Sequence, residues 1–182
     1  MEIITVSEHI QLVPIQETDA EQIFELIDNQ REYLGRWLPF VQYTQSVDDE
    51  REFIRSVLAL PEDIREMIFC IYFDGEFVGL IGLKFNELDN VNRKTELGYW
   101  LSENYQGKGI VTSSCNALMN LAFNQLKYNR VQIKCAVKNE KSKNIPKRLG
   151  FTFEGIERDG ELLAGEQFTD LEVYSILKKE WI

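Results

Sequence analysis

The sequence predicts an α/β fold in which helices flank one mixed, mostly antiparallel sheet. Asp74-Gly75 separates two apolar runs, which is the pattern of a tight β-hairpin. From residue 95 onward, strand and helix patterns alternate, which predicts a β-α-β crossover and one parallel pair of strands. With 182 residues and 44% hydrophobic content, the chain is long enough for one substantial core, so we treat 1–182 as a single domain.

The first half of the chain combines strand and helix signals with clear stop signals. Polar residues that cap helices stand ahead of apolar residues at helical spacing in two places. The predicted elements are, in order, a strand from Ile10 to Ile15, a helix after Glu17-Thr18-Asp19, a loop from Gly35 to Phe40, a helix from Ser46 that Pro61 closes, and hairpin strands over Met67 to Phe73 and Phe77 to Phe85.

The second half alternates strands and helices. The predicted elements are, in order, a turn at Asn90 and Asn92, a strand from Thr95 to Leu101, a helix from about Ile110 to Lys127, a strand from Arg130 to Val137, a short helix ending at Gly150, and closing strands from Phe151 and from Phe168. The face of the long helix that packs on the sheet should carry Val111, Cys115, Leu118, Ala122 and Leu126.

The charge balance argues against some partners. The chain has 20 Lys and Arg against 30 Asp and Glu, and its net charge of −10 disfavours nonspecific binding to nucleic acid or to an anionic membrane. We therefore predict no nucleic-acid partner and no membrane partner. An acidic surface tolerates cationic substrates such as amines or basic protein tails. A phosphorylated ligand would need local backbone donors and a local basic cluster.

The cysteines and the N-terminus favour a soluble, cytoplasmic protein. Cys70, Cys115 and Cys135 are odd in number, have apolar neighbours and form no C-x-x-C pair, so neither a disulfide framework nor a zinc site is expected. The N-terminus lacks a basic region followed by an apolar run, and no window approaches the ~20 apolar residues of a membrane span. The single histidine, His9, leaves no material for a His-based triad or a multi-histidine site, so we predict no metal.

The turn after the Thr95 strand carries the first chemical signal. Gln106-Gly107-Lys108-Gly109 opens the long helix, where glycines let backbone N–H groups converge and the helix dipole favours an anion. The pattern has the spacing of neither a dinucleotide fingerprint nor a Walker loop. From spacing alone, a phosphate seat and a plain tight connection both remain open.

A basic cluster follows the next strand. Within eleven residues that hold one acid, Glu140, the chain gathers Lys138, Lys141, Lys143, Lys147 and Arg148. A solvated helix face is the alternative interpretation. Because parallel strands end at the same edge of a sheet, the turns at Gln106 and Asn139 should lie near each other, which favours a phosphate ligand between them.

These segments resemble the GNAT superfamily of N-acetyltransferases, and most closely its branch of ribosomal-protein N-terminal acetyltransferases. The resemblance rests on Glu96-Leu97-Gly98-Tyr99-Trp100-Leu101 followed by Gln106-Gly107-Lys108-Gly109, and on Asn139-x-x-Ser142 followed by Leu149-Gly150-Phe151. Two residues are unusual: Val111, where the superfamily prefers Gly or Ala, and Pro146 in the short helix. If Ser142 capped that helix, Pro146 would lie in the first turn, where proline is tolerated.

The resemblance implies acetyl transfer from acetyl-CoA to an amine, on a GNAT fold whose parallel strands splay around the cofactor. The diphosphate would lie on the N–H groups of Gln106 to Thr112, and the pantetheine arm would pair near Leu101 and at Val137, held by Asn139. The residues that the resemblance assigns to the cofactor are Leu101, Gln106, Gly107, Lys108, Gly109, Ile110, Val111, Thr112, Asn139 and Asn144.

The resemblance and the chemistry of the reaction also select catalytic candidates. An α-amine has a pKa of ~7.7 to 8.0, so a general base need supply only a modest remainder. Glu96, on the central strand, and Glu161, between the last two strands, are candidate bases; a strand-edge salt bridge and an exposed loop charge are their alternative roles. Ser142 matches the position that gives a proton to the thiolate, and helix capping is compatible with that role. A backbone N–H near Leu101 would polarise the thioester.

The expected acceptor is a primary amine, with a protein N-terminus of the ribosomal type favoured. A small amine resembling a polyamine or aminoglycoside, and a noncatalytic acyl-CoA sensor, are the alternatives. Trp37-Leu38-Pro39-Phe40 would line the acceptor pocket or fill the core. A homodimer or a larger homo-oligomer is the expected assembly.

Overall fold

The computed structural model describes residues 1–62, 64–84 and 87–181. Its helices are α1 (Ala20–Asn29), α2 (Arg31–Gly35), α3 (Val47–Leu58), α4 (Glu87–Val91), α5 (Ile110–Asn120) and α6 (Glu140–Arg148). Its strands are β1 (Ile4–Thr5), β2 (Ile10–Pro14), β3 (Met67–Phe73), β4 (Glu76–Lys84), β5 (Lys94–Leu101), β6 (Arg130–Ala136), β7 (Thr152–Leu163) and β8 (Gln167–Leu177). Across these ranges, none of the helices has the length and apolar character that a bilayer crossing requires.

The strands form one eight-stranded sheet in the order β1-β2-β3-β4-β5-β6-β8-β7. Neighbouring strands are antiparallel except for β5 and β6, which run parallel. α5 makes the crossover between these two strands, as the alternating pattern predicted. The single mixed sheet, the flanking helices and the parallel pair confirm the predicted fold class.

Helices cover both faces of the sheet and create two cores. On one face, α5 and α6 pack over strand residues such as Leu97 and Ile133, which are at most 1% exposed. On the other face, α1 and α3 pack together and bury Ile23 and Ile54 completely. Because side chains alternate along a strand, β5 faces both cores and its polar residues are presented to either side of the sheet.

Two local predictions are confirmed in detail. Asp74 and Gly75 have φ values of 51° and 83°, the two positive angles that a type I′ hairpin turn requires. The Ser46 side chain accepts the Asp49 N–H at 3.3 Å and so caps α3.

The long helix differs from the prediction near its end. α5 continues into a π-helical segment, Leu121–Gln125, and the Leu126 N–H donates to the Leu121 carbonyl five residues back at 3.0 Å. A π turn holds more residues than an α turn, so it rotates the following side chains relative to the helical face. Leu126 is therefore 38% exposed, whereas Ala122 remains fully buried.

Other element boundaries also differ. Asn90 lies in α4 rather than in a simple turn. Glu161 lies within β7 and pairs with Thr169, so our placement of it between the last two strands was wrong. A register irregularity interrupts β7 before Glu161, where the Asp159 N–H donates to the Asp170 carboxylate at 2.8 Å, and the strand then resumes. Phe85, the predicted end of the second hairpin strand, lies outside the described residues.

Candidate active site

The centre of the site is a gap between the parallel strands. β5 and β6 stop pairing at Glu96 and Gln132, although both strands continue well beyond these residues. Ser102 donates its N–H to the Val78 carbonyl on β4 at 2.8 Å, so by strand alternation the Leu101 N–H lies on the side of β5 that faces β6. The gap therefore presents a backbone donor to an extended ligand.

A group of backbone donors lies where β5 leads into α5. Gly107 and Gly109 have φ values of 74° and 75°, a conformation that favours glycine, and Gly109 is the N-cap of α5. In the described part of the chain, none of the N–H groups from Gly107 to Thr112 donates to a protein acceptor. These donors stand at the positive end of the helix dipole, so the loop is suited to bind an anion.

Side chains of the loop tie it to the surrounding elements. The Gln106 side-chain oxygen Oε1 accepts from Lys141 Nζ at 2.6 Å, and the side-chain nitrogen Nε2 donates to the Tyr33 hydroxyl on α2. Arg148 Nη1 donates to the Thr112 hydroxyl at 3.4 Å. Both contacts from α6 reach the loop, so the turns after β5 and β6 lie at the same edge of the sheet, as the crossover predicted.

Two predicted cations, Lys143 of the basic cluster and Lys108 of the Gln106 to Gly109 loop, do not present their charges to a ligand. Lys143 is 6% exposed and pairs with Glu140 at 2.7 Å and Glu172 at 3.0 Å, so its charge holds α6 against β8 rather than facing a ligand. Lys108 lies with its ammonium 5.0 Å from the centre of the Phe73 ring. The loop therefore offers the backbone of Lys108, and Lys141 and Arg148 are the cations that reach it.

Asn139 caps α6, so Ser142 does not have the capping role that was considered for it. The Asn139 side-chain oxygen accepts the Ser142 N–H at 3.2 Å. Pro146 consequently lies inside the helix rather than in the first turn. It has no N–H for the Ser142 carbonyl, which instead accepts the Tyr99 hydroxyl at 3.0 Å.

The Ser142 hydroxyl touches both strands beyond the point where their pairing stops. Its oxygen lies 3.3 Å from the Tyr99 hydroxyl on β5 and 3.2 Å from Cys135 Sγ on β6. Burial raises the pKa of Tyr99 well above its usual value and also raises the pKa of the Cys135 thiol, so both groups keep their protons at neutral pH. Ser142 therefore lies beside the gap on the α6 face of the sheet.

The two candidate bases lie together on the opposite face of the sheet. Glu96 accepts the Gln132 side-chain N–H at 3.0 Å. Glu161 is half-buried, and its pKa is raised by burial, while the charges of Lys84 and Lys134 oppose the rise and that of Glu96 adds to it. Glu161 is thus not the exposed loop charge considered as an alternative.

A cavity of about 330 Å³ opens beside Glu96. Asp89 and Lys94 form an ion pair at 3.0 Å in its wall. Its other lining residues are Glu66, Lys84, Thr95 and Gln132. The mixture of charges makes it a polar recess, and of the two candidate bases Glu96 lies in its lining.

The loop after α2 is fastened by one side chain. Arg31 donates to the carbonyls of Val41 at 2.9 Å and Thr44 at 2.6 Å. Leu38 packs against the core below α1 and α3, whereas Phe40 is 39% exposed. The Trp37 to Phe40 segment therefore has residues suited to each of its two predicted roles.

The remaining predicted cofactor residues differ in whether a side chain or only the backbone can reach the ligand. Ile110 and Val111 are 1% and 8% exposed, so their side chains belong to the core and only their backbone reaches the ligand side. The branched side chain at Val111 is thereby accommodated. Asn144 is exposed on α6. Val137 gives its N–H to the Asp170 carbonyl at 3.0 Å, so that donor is engaged with the last strand rather than facing the gap.

Sequence reasoning assigned no role in the site to Tyr99, Cys135, Tyr33 or Arg31. Tyr99 and Cys135 stand at strand positions whose alternation predicts core. The signal that was available is Pro146, because a proline inside a helix frees the carbonyl four residues earlier and so requires another donor near Ser142.

The parts of the site form one chemical arrangement. Donors for an anion lie at the start of α5, the gap extends from them, a hydroxyl lies on one side of it and two carboxylates lie on the other. An extended ligand with an anionic head can place its far end between the hydroxyl and the carboxylates.

Comparison with known proteins gives a consistent result. The family model described as acetyltransferase (GNAT) domain matches residues 9–152. YdaF of Bacillus subtilis (strain 168), provisionally named a ribosomal N-acetyltransferase, is 41% identical over 182 residues, covering 97% of this chain and 95% of that protein. The ribosomal-protein-serine acetyltransferase of Escherichia coli (strain K12) is 30% identical over 174 residues, 96% of each chain. The structure of RimL, a ribosomal L7/L12 alpha-N-protein acetyltransferase in complex with coenzyme A, matches with a TM-score of 0.90 at 28% identity, covering 97% of this chain and 98% of that one.

Proposed function

The chain belongs to the GNAT acetyltransferase family, and from this premise we propose that it transfers acetyl from acetyl-CoA to the α-amine of a protein N-terminus, of the ribosomal-protein type. The observation that carries the cofactor assignment is the run of N–H groups from Gly107 to Thr112 at the end of the β5–β6 gap. The relatives named for ribosomal-protein substrates support the acceptor.

We assign the cofactor contacts to backbone more than to side chains. The N–H groups from Gly107 to Thr112 would take the diphosphate, with Lys141 and Arg148 contributing charge nearby. The gap between β5 and β6 would receive the pantetheine arm, with Asn139 at its edge. Acetyl-CoA supplies an activated thioester as cosubstrate; none of the steps assigned to this chain requires a metal.

We assign the chemistry to residues on the two sides of the gap. Glu161 takes a proton from the ammonium of the acceptor, and the neutral amine then attacks the thioester carbon. The Leu101 N–H donates to the oxygen that becomes negative. As the carbon–sulfur bond breaks, the Ser142 hydroxyl donates its proton to the departing thiolate, and the extra proton on the acceptor nitrogen passes through water to restore the Ser142 hydroxyl. A thiol has a pKa of ~8.5, so this leaving group needs only modest help.

An acetyl-transfer assay tests this proposal. A peptide beginning with serine, the same peptide with a blocked N-terminus, and spermidine are incubated with acetyl-CoA and a thiol-detecting reagent. We expect thiol release with the free peptide and none with the blocked one, with the acetyl group located on the first residue by mass spectrometry. No thiol release from any acceptor, together with thermal stabilisation by CoA, would instead identify an acyl-CoA sensor.

A small polycationic amine is the second candidate acceptor. The observation that favours it is the cavity beside Glu96, whose lining includes the carboxylates of Glu66 and Asp89. Release with spermidine and none with the free peptide would select this alternative.

We also propose that the chain forms a homodimer through its outer hairpin. β7 is the last strand of the sheet, and this hairpin exposes Phe153 (51%), Ile156 (56%) and Phe168 (64%). Light scattering should give about twice the monomer mass of 21.3 kDa, and Phe168→Ser should lower it. Val91→Ser, at a residue that is 79% exposed in α4, is the matched control and should leave the mass unchanged.

The three cysteines, Cys70, Cys115 and Cys135, are free and buried. They support a reducing compartment, and we propose that the protein acts in the cytoplasm.

A further inference from the structure

The backbone and the side chain of Ser142 both form hydrogen bonds with the Tyr99 hydroxyl. The Tyr99 hydroxyl donates to the Ser142 carbonyl at 3.0 Å, and the Ser142 hydroxyl lies 3.3 Å from the Tyr99 oxygen. A tyrosine hydroxyl has one proton. Once that proton is given to the carbonyl, the Tyr99 oxygen can only accept, so it receives the Ser142 hydroxyl proton.

Pro146 creates the opening for this contact. In a regular α-helix, the N–H of residue 146 would donate to the carbonyl of residue 142. Proline has no N–H, and the buried carbonyl would be costly to leave without a donor. Tyr99 supplies that donor from the neighbouring strand, across 43 positions of sequence.

Cys135 adds a third donor to this series of hydrogen bonds. Its sulfur lies 3.2 Å from the Ser142 oxygen, and burial raises the pKa of its thiol, so the S–H remains to donate. The Cys135 thiol then donates to the Ser142 hydroxyl, the Ser142 hydroxyl donates to the Tyr99 hydroxyl, and the Tyr99 hydroxyl donates to the Ser142 carbonyl. The buried Tyr99 and Cys135 hold their protons too firmly to replace the one that Ser142 gives away, so they fix the position of the Ser142 oxygen, and the replacement proton comes from the acceptor nitrogen through water.

We propose that Tyr99 and Pro146 are a positioning pair that holds the Ser142 hydroxyl oxygen beside the departing thiolate. As the carbon–sulfur bond breaks, the hydroxyl proton turns from the Tyr99 oxygen to the sulfur. The catalytic part of this proposal rests on the proposed function, in which Ser142 touches the reacting sulfur. The structural part, in which Tyr99 satisfies the carbonyl that Pro146 leaves open, is independent of any activity.

A stability cycle tests the structural part. Tyr99→Phe should lower the Tm by roughly 2–6 °C, because the Ser142 carbonyl loses its donor. Pro146→Ala restores an N–H four residues after Ser142, so adding it to Tyr99→Phe should recover most of that loss. Tyr128→Phe, which removes a hydroxyl bound to Asn90 far from α6, is the control and should not be rescued by Pro146→Ala. Additive effects of Tyr99→Phe and Pro146→Ala on the Tm would overturn the pairing.

A kinetic cycle tests the catalytic part with acetyl-CoA and the free peptide. Tyr99→Phe should lower kcat about fivefold, the effect of losing one neutral hydrogen bond, without changing the KM for acetyl-CoA. Pro146→Ala should not restore kcat in that variant, since the hydroxyl still lacks its acceptor. In a Ser142→Ala background, which should itself lose only about tenfold or less, Tyr99→Phe should have no further effect. The same loss of kcat with and without Ser142 would overturn the positioning role.

The two failures are distinguishable. If the wild-type protein releases no thiol with any acceptor, the proposed function fails, and the stability cycle alone decides the pairing of Tyr99 with the carbonyl. If the wild-type protein is active and Tyr99→Phe has its full kcat, the positioning proposal is wrong and the proposed function stands.

Discussion

Glu161 shows how the surroundings of one residue set its chemistry. Its burial raises the pKa of the carboxyl, while Lys84 and Lys134 limit the rise and so preserve the ionised form that a base requires. A raised pKa brings the carboxylate closer to the pKa of an amine, which makes proton transfer less unfavourable. Glu96, hydrogen-bonded to Gln132, adds negative charge that favours a cationic acceptor beside it.

We predict that Glu161→Gln lowers kcat/KM for the free peptide by about 10-fold to 100-fold at pH 7. The loss should shrink as the pH rises above ~8, because the α-amine then loses its proton without help. Glu96→Gln should have the smaller effect. Glu157→Gln is the matched control, because Glu157 lies on the same strand as Glu161 and this change breaks only its ion pair with Lys134. A pH profile of kcat/KM from pH 6 to 9.5 measures all three. A larger loss for Glu96→Gln than for Glu161→Gln would reverse the assignment of the base.

At the scale of elements, local signals predicted most of the fold, and the errors come from irregularities in a helix and a strand that those signals do not reveal. Asp74-Gly75 determines a turn by its own backbone preference, so the hairpin was predictable. Leu126 was misplaced because a helical period of 3.6 does not reveal a π segment. Glu161 was misplaced because an irregularity in β7 depends on the Asp170 carboxylate of the neighbouring strand.

In the site, too, a local feature was predictable from the sequence, and a contact between distant segments was not. The loop from Gln106 to Gly109 carries its function in its own backbone, so glycine spacing and a following helix were enough to find it. The contact between Tyr99 and Ser142 forms only when β5 and α6 meet. Pro146 indicates that the Ser142 carbonyl needs another donor, but no local pattern identifies Tyr99 as that donor.

We predict that Gly109→Ala weakens CoA binding about 5-fold to 10-fold. A residue with a side chain is strained at a φ of 75°, by roughly 1 kcal/mol, and relief of the strain would turn the first N–H groups of α5 away from the ligand. Gly75→Ala is the matched control, since its φ of 83° imposes a similar strain in the β3–β4 turn. Both variants should lose similar stability in urea unfolding, and calorimetry should show weaker CoA binding for Gly109→Ala alone. An equal loss of affinity in both variants would argue against a specific role for the loop.

At the scale of the whole molecule, the acidic surface and the anion site coexist because charge is unevenly placed. The net charge is −10, yet Lys141 and Arg148 both reach the loop at the start of α5. One acid is also placed inside the protein. Glu50 is 4% exposed on α3, in the layer that α3 forms with α1. A carboxyl in that position makes the stability of the whole chain depend on pH.

We predict that Glu50→Gln stabilises the protein above pH 7 and has little effect at pH 4.5. Burial raises the pKa of Glu50 from 4.5 to about 7, so the unfolded chain ionises this group at a lower pH than the folded protein does. The folded state therefore loses stability progressively as the pH rises from about 4.5 to about 7, and by roughly 3 kcal/mol once Glu50 is ionised in both states. Urea unfolding at pH 4.5, 6 and 8 should show a gain for Glu50→Gln that grows across this range. Glu52→Gln removes the same charge from an exposed position of α3 and should show no such growth. A loss of stability in Glu50→Gln at pH 8 would mean that the ionised carboxylate has a stabilising partner in the folded protein, and it would refute the proposed burial penalty.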